Sequence, residues 1–492
     1  MRISIDNYLL VCLVVACFTL SGCKGIRDLD VFSASGSSSD DVKGMFINEV
    51  KSDFKKADDS NAVKRKVGWK KDVGYARYGN KTLASLPALH IYVNKVLTNL
   101  RENISGNPAV ATVYITPQKD FEAYTLENGA IFVSLGTLLA LKNEDELAAL
   151  MAHEYAHVLL NHHAKDTFEF VTKYGMRYAN LYLQSRASSG QSQNKQMKTL
   201  KVANWVADKA LFPNWNKGQE NDADILAIDL LIKAKYNADA MAAMLKKVEQ
   251  TILEKKKFVG QNPVNVSKGA KDRSKMKLDL DVLAANAVGN LENQLDRDYE
   301  SAKVRQKRVR DYLKREYRKR PRPKYLIAEY RARFQKRNTR LRLNQYQSAH
   351  NAEQALLSDK QGLDKAVPLG QSALGGALGE DPYTRMLMFY MRNAQKYAGK
   401  AEINLKKAYA TGGAPMYTYE LLVEQSMQRQ QLKQAKKLLE EMEVEFDKPV
   451  EILPDLIFVT KQLGKSTSTY LFRCLALGDS ELIKQCNIAS RR

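Results

Sequence analysis

At 492 residues the chain exceeds one ordinary globular domain and suits two or three. Hydrophobic residues make up 44% and charged residues 27%, which excludes a chain without a core. The formal net charge of +22 favours contact with anionic surfaces, whether lipid head groups, nucleic acid or acidic proteins, and says nothing about fold.

The amino-terminal segment narrows that choice. Arg2 gives a short positive start, and residues 8–20 are almost wholly apolar. That run is too short to cross a bilayer, which needs about 20 residues, and matches the h-region of a secretion signal. It closes with Leu20-Ser21-Gly22-Cys23, which resembles the lipobox of bacterial lipoproteins. The resemblance implies cleavage before Cys23, lipidation of Cys23 and, with Lys24 next, release to the outer membrane of a Gram-negative bacterium. A cleaved signal with an incidental cysteine is the alternative. The expected location is periplasmic and lipid-anchored, so nucleic acid is not an expected partner. Of five cysteines, Cys12 and Cys17 leave with the signal. Cys474 and Cys486 remain in an oxidising space, as a bridge or as two buried thiols.

Residues 33–41, rich in serine, read as a flexible tether. Apolar residues at helical spacing predict a helix over 86–104. The β-branched run 110–116, between Pro108 and Pro117, predicts a strand. A second extended stretch over 121–126 turns at Asn128-Gly129 into Ala130-Ile131-Phe132-Val133, a hairpin signal. A long helix opens at Asn143, with Glu146 able to close a capping box, and runs beyond Leu160. Residues 165–217 read as helix, polar loop and helix. A further helix from near Glu220 carries Ile225, Ile228, Leu231 and Ile232 on an apolar face. Pro321-Arg322-Pro323 marks a boundary. Beyond it Ala401 and Ala435, Leu405 and Leu439, and Pro415 and Pro449 each stand 34 residues apart. A weaker earlier pair lies around Ala366 and Ala373. That period resembles tetratricopeptide helix pairs. The expected organisation is a lipoprotein signal (1–22), an anchor, tether and N-terminal segment (23–80), a peptidase domain (81–320) and a helical repeat domain (325–492).

His153-Glu154-Tyr155-Ala156-His157 carries the chemistry. Histidines four apart share a helix face, so both imidazoles can reach one ion. Zinc lowers the pKa of a bound water to about 7, and Glu154, beside the first ligand, can take that water's proton without binding the metal itself. Two histidines leave the ion short of one protein ligand. His90 and His350 are distant candidates. Glu220 and Asp224 are closer in character: four apart on one helix face, one can bind zinc while the other orients a ligand histidine. His162 and His163 lie past the ligand turn and read as surface or supporting residues.

The segments 144–154, 129–133, 220–224 and 236–240 together resemble the HtpX and BepA group of zinc proteases, over roughly residues 80 to 245. The resemblance implies a mainly α fold with a small β-sheet, a zincin-like α+β peptidase domain. It implies one Zn²⁺ per chain held by His153, His157 and Glu220, with Glu154 as base and Asp224 behind a ligand. Ala130, Ile131, Phe132 and Val133 would form the edge strand that holds an extended substrate; a buried core strand is the alternative. The BepA-like branch adds an α-solenoid of tetratricopeptide-like pairs, and such proteins are linked to outer-membrane β-barrel assembly. Two departures stand out: Glu122-Ala123-Tyr124 replaces the usual Asn-Ala-Phe, and no histidine follows the third ligand, only Asp298-Tyr299-Glu300-Ser301 with Arg305 and Arg308. No residue is thereby assigned to the oxyanion.

The expected function is therefore a zinc-dependent endopeptidase of the cell envelope, with protein or peptide substrates. A chaperone or scaffold that binds assembly machinery through its repeats is the rival. Residues 303–324 hold 12 Lys or Arg against Asp311 and Glu316. Val304, Val309, Leu313 and Tyr317 are expected to form its buried stripe, leaving a basic side that is either solvated or docks on anionic lipid.

Overall fold

The computed structural model describes residues 69–104, 108–126, 128–162, 217–261, 302–319, 322–358, 362–478 and 480–491. The signal, Cys23, the tether, His163, segment 165–216 and Asp298 to Ser301 lie outside them. The described part is mostly helical with one small sheet.

Helices α1 (Trp69–Tyr78) and α2 (Pro87–Glu102) precede strands β1 (Thr112–Thr116), β2 (Ala123–Thr125) and β3 (Ala130–Ser134). β2 and β3 form the expected antiparallel hairpin. Gly129 turns it at φ 84°, where a Cβ would sit 2.3 Å from the Val110 carbonyl oxygen, so the turn requires glycine. β1 then adds in parallel to the other side of β3, pairing Thr112 with Ala130 through Thr116 with Ser134. The sheet order is β1-β3-β2. This corrects the expectation for Ala130, Ile131, Phe132 and Val133. Both sides of β3 are already hydrogen-bonded and every residue of it is buried, so it is the central strand. The consecutive apolar residues fit a strand covered on both faces. The short strand at the edge is β2.

After α3 (Leu135–Ala140) comes α4 (Glu144–Leu159), the helix of the histidine motif. Asn143 caps it by accepting from the Glu146 amide at 2.8 Å. Glu146 reaches back one residue further than a capping box, accepting from the Lys142 amide at 2.8 Å. The helix stops at Leu159, short of the expected extension. It is buried nearly all round, packing against α2, β2, α5 (Lys217–Lys233) and α6 (Ala240–Gln261). A helix without a solvated face sits in the centre of its domain.

Helix α7 (Ala302–Glu316) crosses α5 and α6. Its buried face is Ala302, Arg305, Val309, Tyr312 and Leu313. Val304, expected inside, is 45% exposed, while Arg305 is 4% exposed. Val309, Leu313 and Tyr317 are buried as expected; at the start of the helix Arg305 takes the inner position instead of Val304, because it finds carboxylate partners inside.

The remaining helices are α8 (Ile327–Gln335), α9 (Arg337–Leu357), α10 (Gly362–Ala373), α11 (Pro382–Ala394), α12 (Ala398–Ala410), α13 (Met416–Gln428), α14 (Leu432–Glu445), α15 (Leu453–Gln462), α16 (Ser468–Ala476) and α17 (Ser480–Arg491). α9 packs on α10, α11 on α12, α13 on α14, and α15 and α16 on α17. Ala401 and Leu405 are buried in α12 as Ala435 and Leu439 are in α14. Pro415 precedes α13, and Pro449 precedes a short 3₁₀ turn before α15. The 34-residue spacing thus marks equivalent positions. Cys474 and Cys486 are joined in a disulfide, Cα–Cα 6.6 Å, between α16 and α17. A loop this short adds about 3 kcal/mol on a chain-entropy account.

Helix α1 ties the sheet to these helices. Buried Asp72 accepts from the Tyr114 hydroxyl at 2.9 Å and from Asn128. Arg77 donates to the Ala414 carbonyl at 2.7 Å, Tyr419 at 3.1 Å and Glu445 at 2.6 Å, with its guanidinium 5.0 Å from the Phe446 ring centroid. The Pro-rich boundary is also anchored. The Leu326 amide donates to Asp145 at 2.7 Å, and Asn237 donates to the Pro323 carbonyl at 2.8 Å.

Candidate metal centre

Helical geometry places His153 and His157 on one face of α4, and the first turns of α5 lie opposite. His153 Nε2 stands 3.5 Å from Glu220 Oε2, and His157 Nε2 3.6 Å from Glu220 Oε1. One donor atom from each of the three lies within 4.8 Å of the others. Two imidazoles and one carboxylate are the donor set of a catalytic zinc. Electrostatics favours a cation here. Burial alone would push the His153 imidazolium pKa down, but Asp224 and Glu220 outweigh it and lift it to about 10.

The surrounding residues fix the ligands. Asp224 Oδ1 stands 3.0 Å from His153 Nδ1, which puts the ring's proton on Nδ1 and leaves Nε2 to face the ion. His157 Nδ1 lies 2.8 Å from His162 Nδ1. Asn161, in the left-handed region at φ 48°, ends α4 and folds His162 back beneath it; asparagine tolerates that conformation. Gln219, next to Glu220, donates to the His162 carbonyl at 3.1 Å.

Arg305 is the residue that sequence reasoning named without giving a role. Its Nε and Nη2 each donate to Asp224 at 2.7 Å, and Nη1 stands 2.9 Å from Glu220 Oε2. Burial would raise both carboxyl pKa values. Arg305 outweighs it, holding Glu220 below its ordinary range and Asp224 at about 2. Glu154, by contrast, is pushed up, with burial the largest cause. The Thr125 hydroxyl, at the end of β2, donates to Glu154 Oε2 at 2.7 Å. Glu154 therefore sits between the paired ligands and the edge strand.

The other two histidines are elsewhere. His350 Nε2 lies 2.6 Å from the Pro117 carbonyl oxygen, and His90 packs edge-on to Tyr114. Among the described residues neither belongs to the group formed by His153, His157 and Glu220.

Residues 87–301 match the family model for Peptidase family M48. Over this segment the chain is similar to the M48 peptidases. Three similar proteins carry metalloprotease names. Metalloprotease YcaL of Escherichia coli (strain K12) is 24% identical over 46% of this chain and 80% of its own length. Mitochondrial metalloendopeptidase OMA1 of Schizosaccharomyces pombe is 24% identical over 41% of this chain and 54% of its own. Metalloprotease LoiP of Escherichia coli (strain K12) is 28% identical over 33% and 61%. The chain thus spans most of YcaL but little more than half of OMA1 and LoiP. The match and these relatives make the protein a metalloendopeptidase, and the M48 metalloproteases that it resembles use zinc. The helices beyond residue 301 lie outside the family match.

Proposed function

We propose that the protein is a zinc-dependent endopeptidase of the bacterial cell envelope, which cleaves misfolded or stalled envelope proteins in outer-membrane quality control. The observation that carries this reading is the convergence of His153, His157 and Glu220 within 4.8 Å, with Glu154 beside them. Zinc, when bound there, supplies Lewis-acid activation of water and of the scissile carbonyl. Glu154 takes the attacking water's proton and passes it to the leaving amine, with Thr125 fixing Oε2 so that Oε1 handles the proton. The open side of β2, not β3, receives the extended substrate as an added strand. Asp224, Arg305 and His162 orient the ligands. The paired helices beyond α8 serve as tetratricopeptide-like modules that hold partners such as the assembly machinery, as in the BepA-like branch. Purified protein should hold about one zinc per chain, cleave casein, lose cleavage on chelation and regain it with zinc. Full cleavage in the presence of a strong chelator would overturn the reading. Binding of unfolded protein without any cleavage would favour a scaffold.

We also propose that a lipid anchor at Cys23 and the outer face of α7 keep the enzyme at a membrane. Among the described residues no helix is long and apolar enough to cross one. Lys303, Lys307, Arg310 and Lys314 are exposed and, at i, i+4, i+7 and i+11, form one cationic stripe opposite the buried face of Arg305, Val309 and Tyr312. A Cys23→Ser protein should sediment with phosphatidylglycerol vesicles at low salt and not at roughly 1 M. Lys307→Ala with Lys314→Ala should weaken this by about 2 kcal/mol, ~30-fold. Equal binding to neutral vesicles would exclude the stripe.

A further inference from the structure

Of the contacts between α5 and α7, two hold buried carboxylates of α5, and the first of these touches the metal centre. The first is Arg305 on Asp224 and Glu220. The second lies further along α5, at Asp229, a buried carboxylate that takes no part in the chemistry above. Tyr312, on the same face of α7 as Arg305 and two turns on, donates to Asp229 Oδ1 at 2.8 Å. Tyr317, just past the end of α7, donates to the same oxygen at 2.6 Å. The two rings meet edge-on at 5.9 Å.

The placement of the two contacts matters more than their number. Asp224 and Asp229 are five residues apart, so they are separated by about 7.5 Å along α5 and about 140° around it. Helix α7 therefore grips α5 from two sides at two heights. It can neither roll about α5 nor slide along it without breaking one contact. An arginine on a rolling helix would keep its charge near Asp224 but lose the paired hydrogen bonds that need a fixed plane.

We propose that Asp229, with Tyr312 and Tyr317, is a positioning residue of the peptidase. It sets the register of α7 on α5 so that Arg305 presents its fork to Asp224 and its third nitrogen to Glu220. The chemistry at Asp229 suits a lock. Burial pushes its carboxyl up to about 7 against the two tyrosine hydrogen bonds, and Oδ2 is buried with no hydrogen-bond partner among the described residues. A carboxylate with that environment contributes little to stability by itself, so its use lies in what it aligns.

The inference rests on the zinc peptidase reading, and the test separates the two. The variants are Tyr312→Phe with Tyr317→Phe, which keeps both rings, Asp229→Asn, Arg305→Lys, and the combination of Asp229→Asn with Arg305→Lys. For each, kcat and KM on a peptide substrate are measured, with zinc release to a chelator. The parent's zinc content and cleavage decide the peptidase reading by themselves. If Asp229 positions Arg305, the double tyrosine variant and Asp229→Asn should each lower kcat by roughly tenfold and speed zinc release by a similar factor. KM should change by less than twofold. Combined with Arg305→Lys, the loss should be no greater than for Arg305→Lys alone, because contacting elements of one assembly are not additive. A parent that is active beside an Asp229→Asn variant with unchanged kcat and zinc release overturns the inference. So does a double variant whose losses multiply, whatever happens to the melting temperature.

Discussion

Replacement of Glu154 by glutamine should lower kcat by roughly 10²–10⁴-fold, the usual range for a general base, while zinc content and folding stay close to those of the parent. The amide has the shape of the carboxyl group and cannot take a proton from water. The site tolerates a neutral group here, since burial already pushes the Glu154 carboxyl up. Thr125 can still donate to the amide oxygen in place of Oε2. His153 and His157 are untouched, so the ligand set remains. The measurement is zinc per chain together with the cleavage rate. A glutamine variant that cleaves as fast as the parent would remove Glu154 from the role, and one that loses its zinc would move it into the ligand set.

Arg305→Ala should have the largest effect on stability, about 3–5 kcal/mol, as expected when one partner of a buried ion pair is removed. Asp224 and Glu220 would remain inside the protein without the cation that holds their pKa values down. Each would then have only His153 set against the cost of burial, and an Asp224 that took up a proton would stop orienting His153. The loss should be greater in chelated protein than in zinc-loaded protein, because the ion replaces part of the missing charge. Denaturant unfolding with and without chelator measures both. A loss below about 1 kcal/mol in chelated protein would mean that Arg305 is an exposed-type pair and not the support described above.

How legible all this was depends on how local each feature is. His153 and His157 were readable because their geometry is set within one helix turn. The hairpin was readable because Asn128-Gly129 turns it between adjacent strands. Glu220 and Asp224 were readable as a pair, but which of them binds depended on a neighbour elsewhere in the chain. That neighbour, Arg305, is separated from Asp224 by 81 residues, and Val304 was expected in the buried position that Arg305 takes, although Val309, Leu313 and Tyr317 are buried as expected. β3 was misplaced at the edge for a related reason. Adjacent strands pair visibly in sequence, whereas the parallel pairing of β1 with β3 skips over β2 and leaves no local mark. His162 could have been found by noticing that Asn161 can end a helix in the left-handed conformation and return the next side chain.

The grip of Arg77 sets a timetable for making the enzyme. This residue leaves the ribosome early, yet its partners Ala414, Tyr419 and Glu445 follow 337, 342 and 368 residues later. At about 5–20 residues per second that is a wait of roughly 20–70 s. Until the last helices arrive, Arg77 lacks its carbonyl and carboxylate partners, whereas Asp72 on the same helix can already meet Tyr114 and Asn128. The clamp between α1 and the late helices is therefore among the last contacts to close, well after the residues of the metal centre have been made.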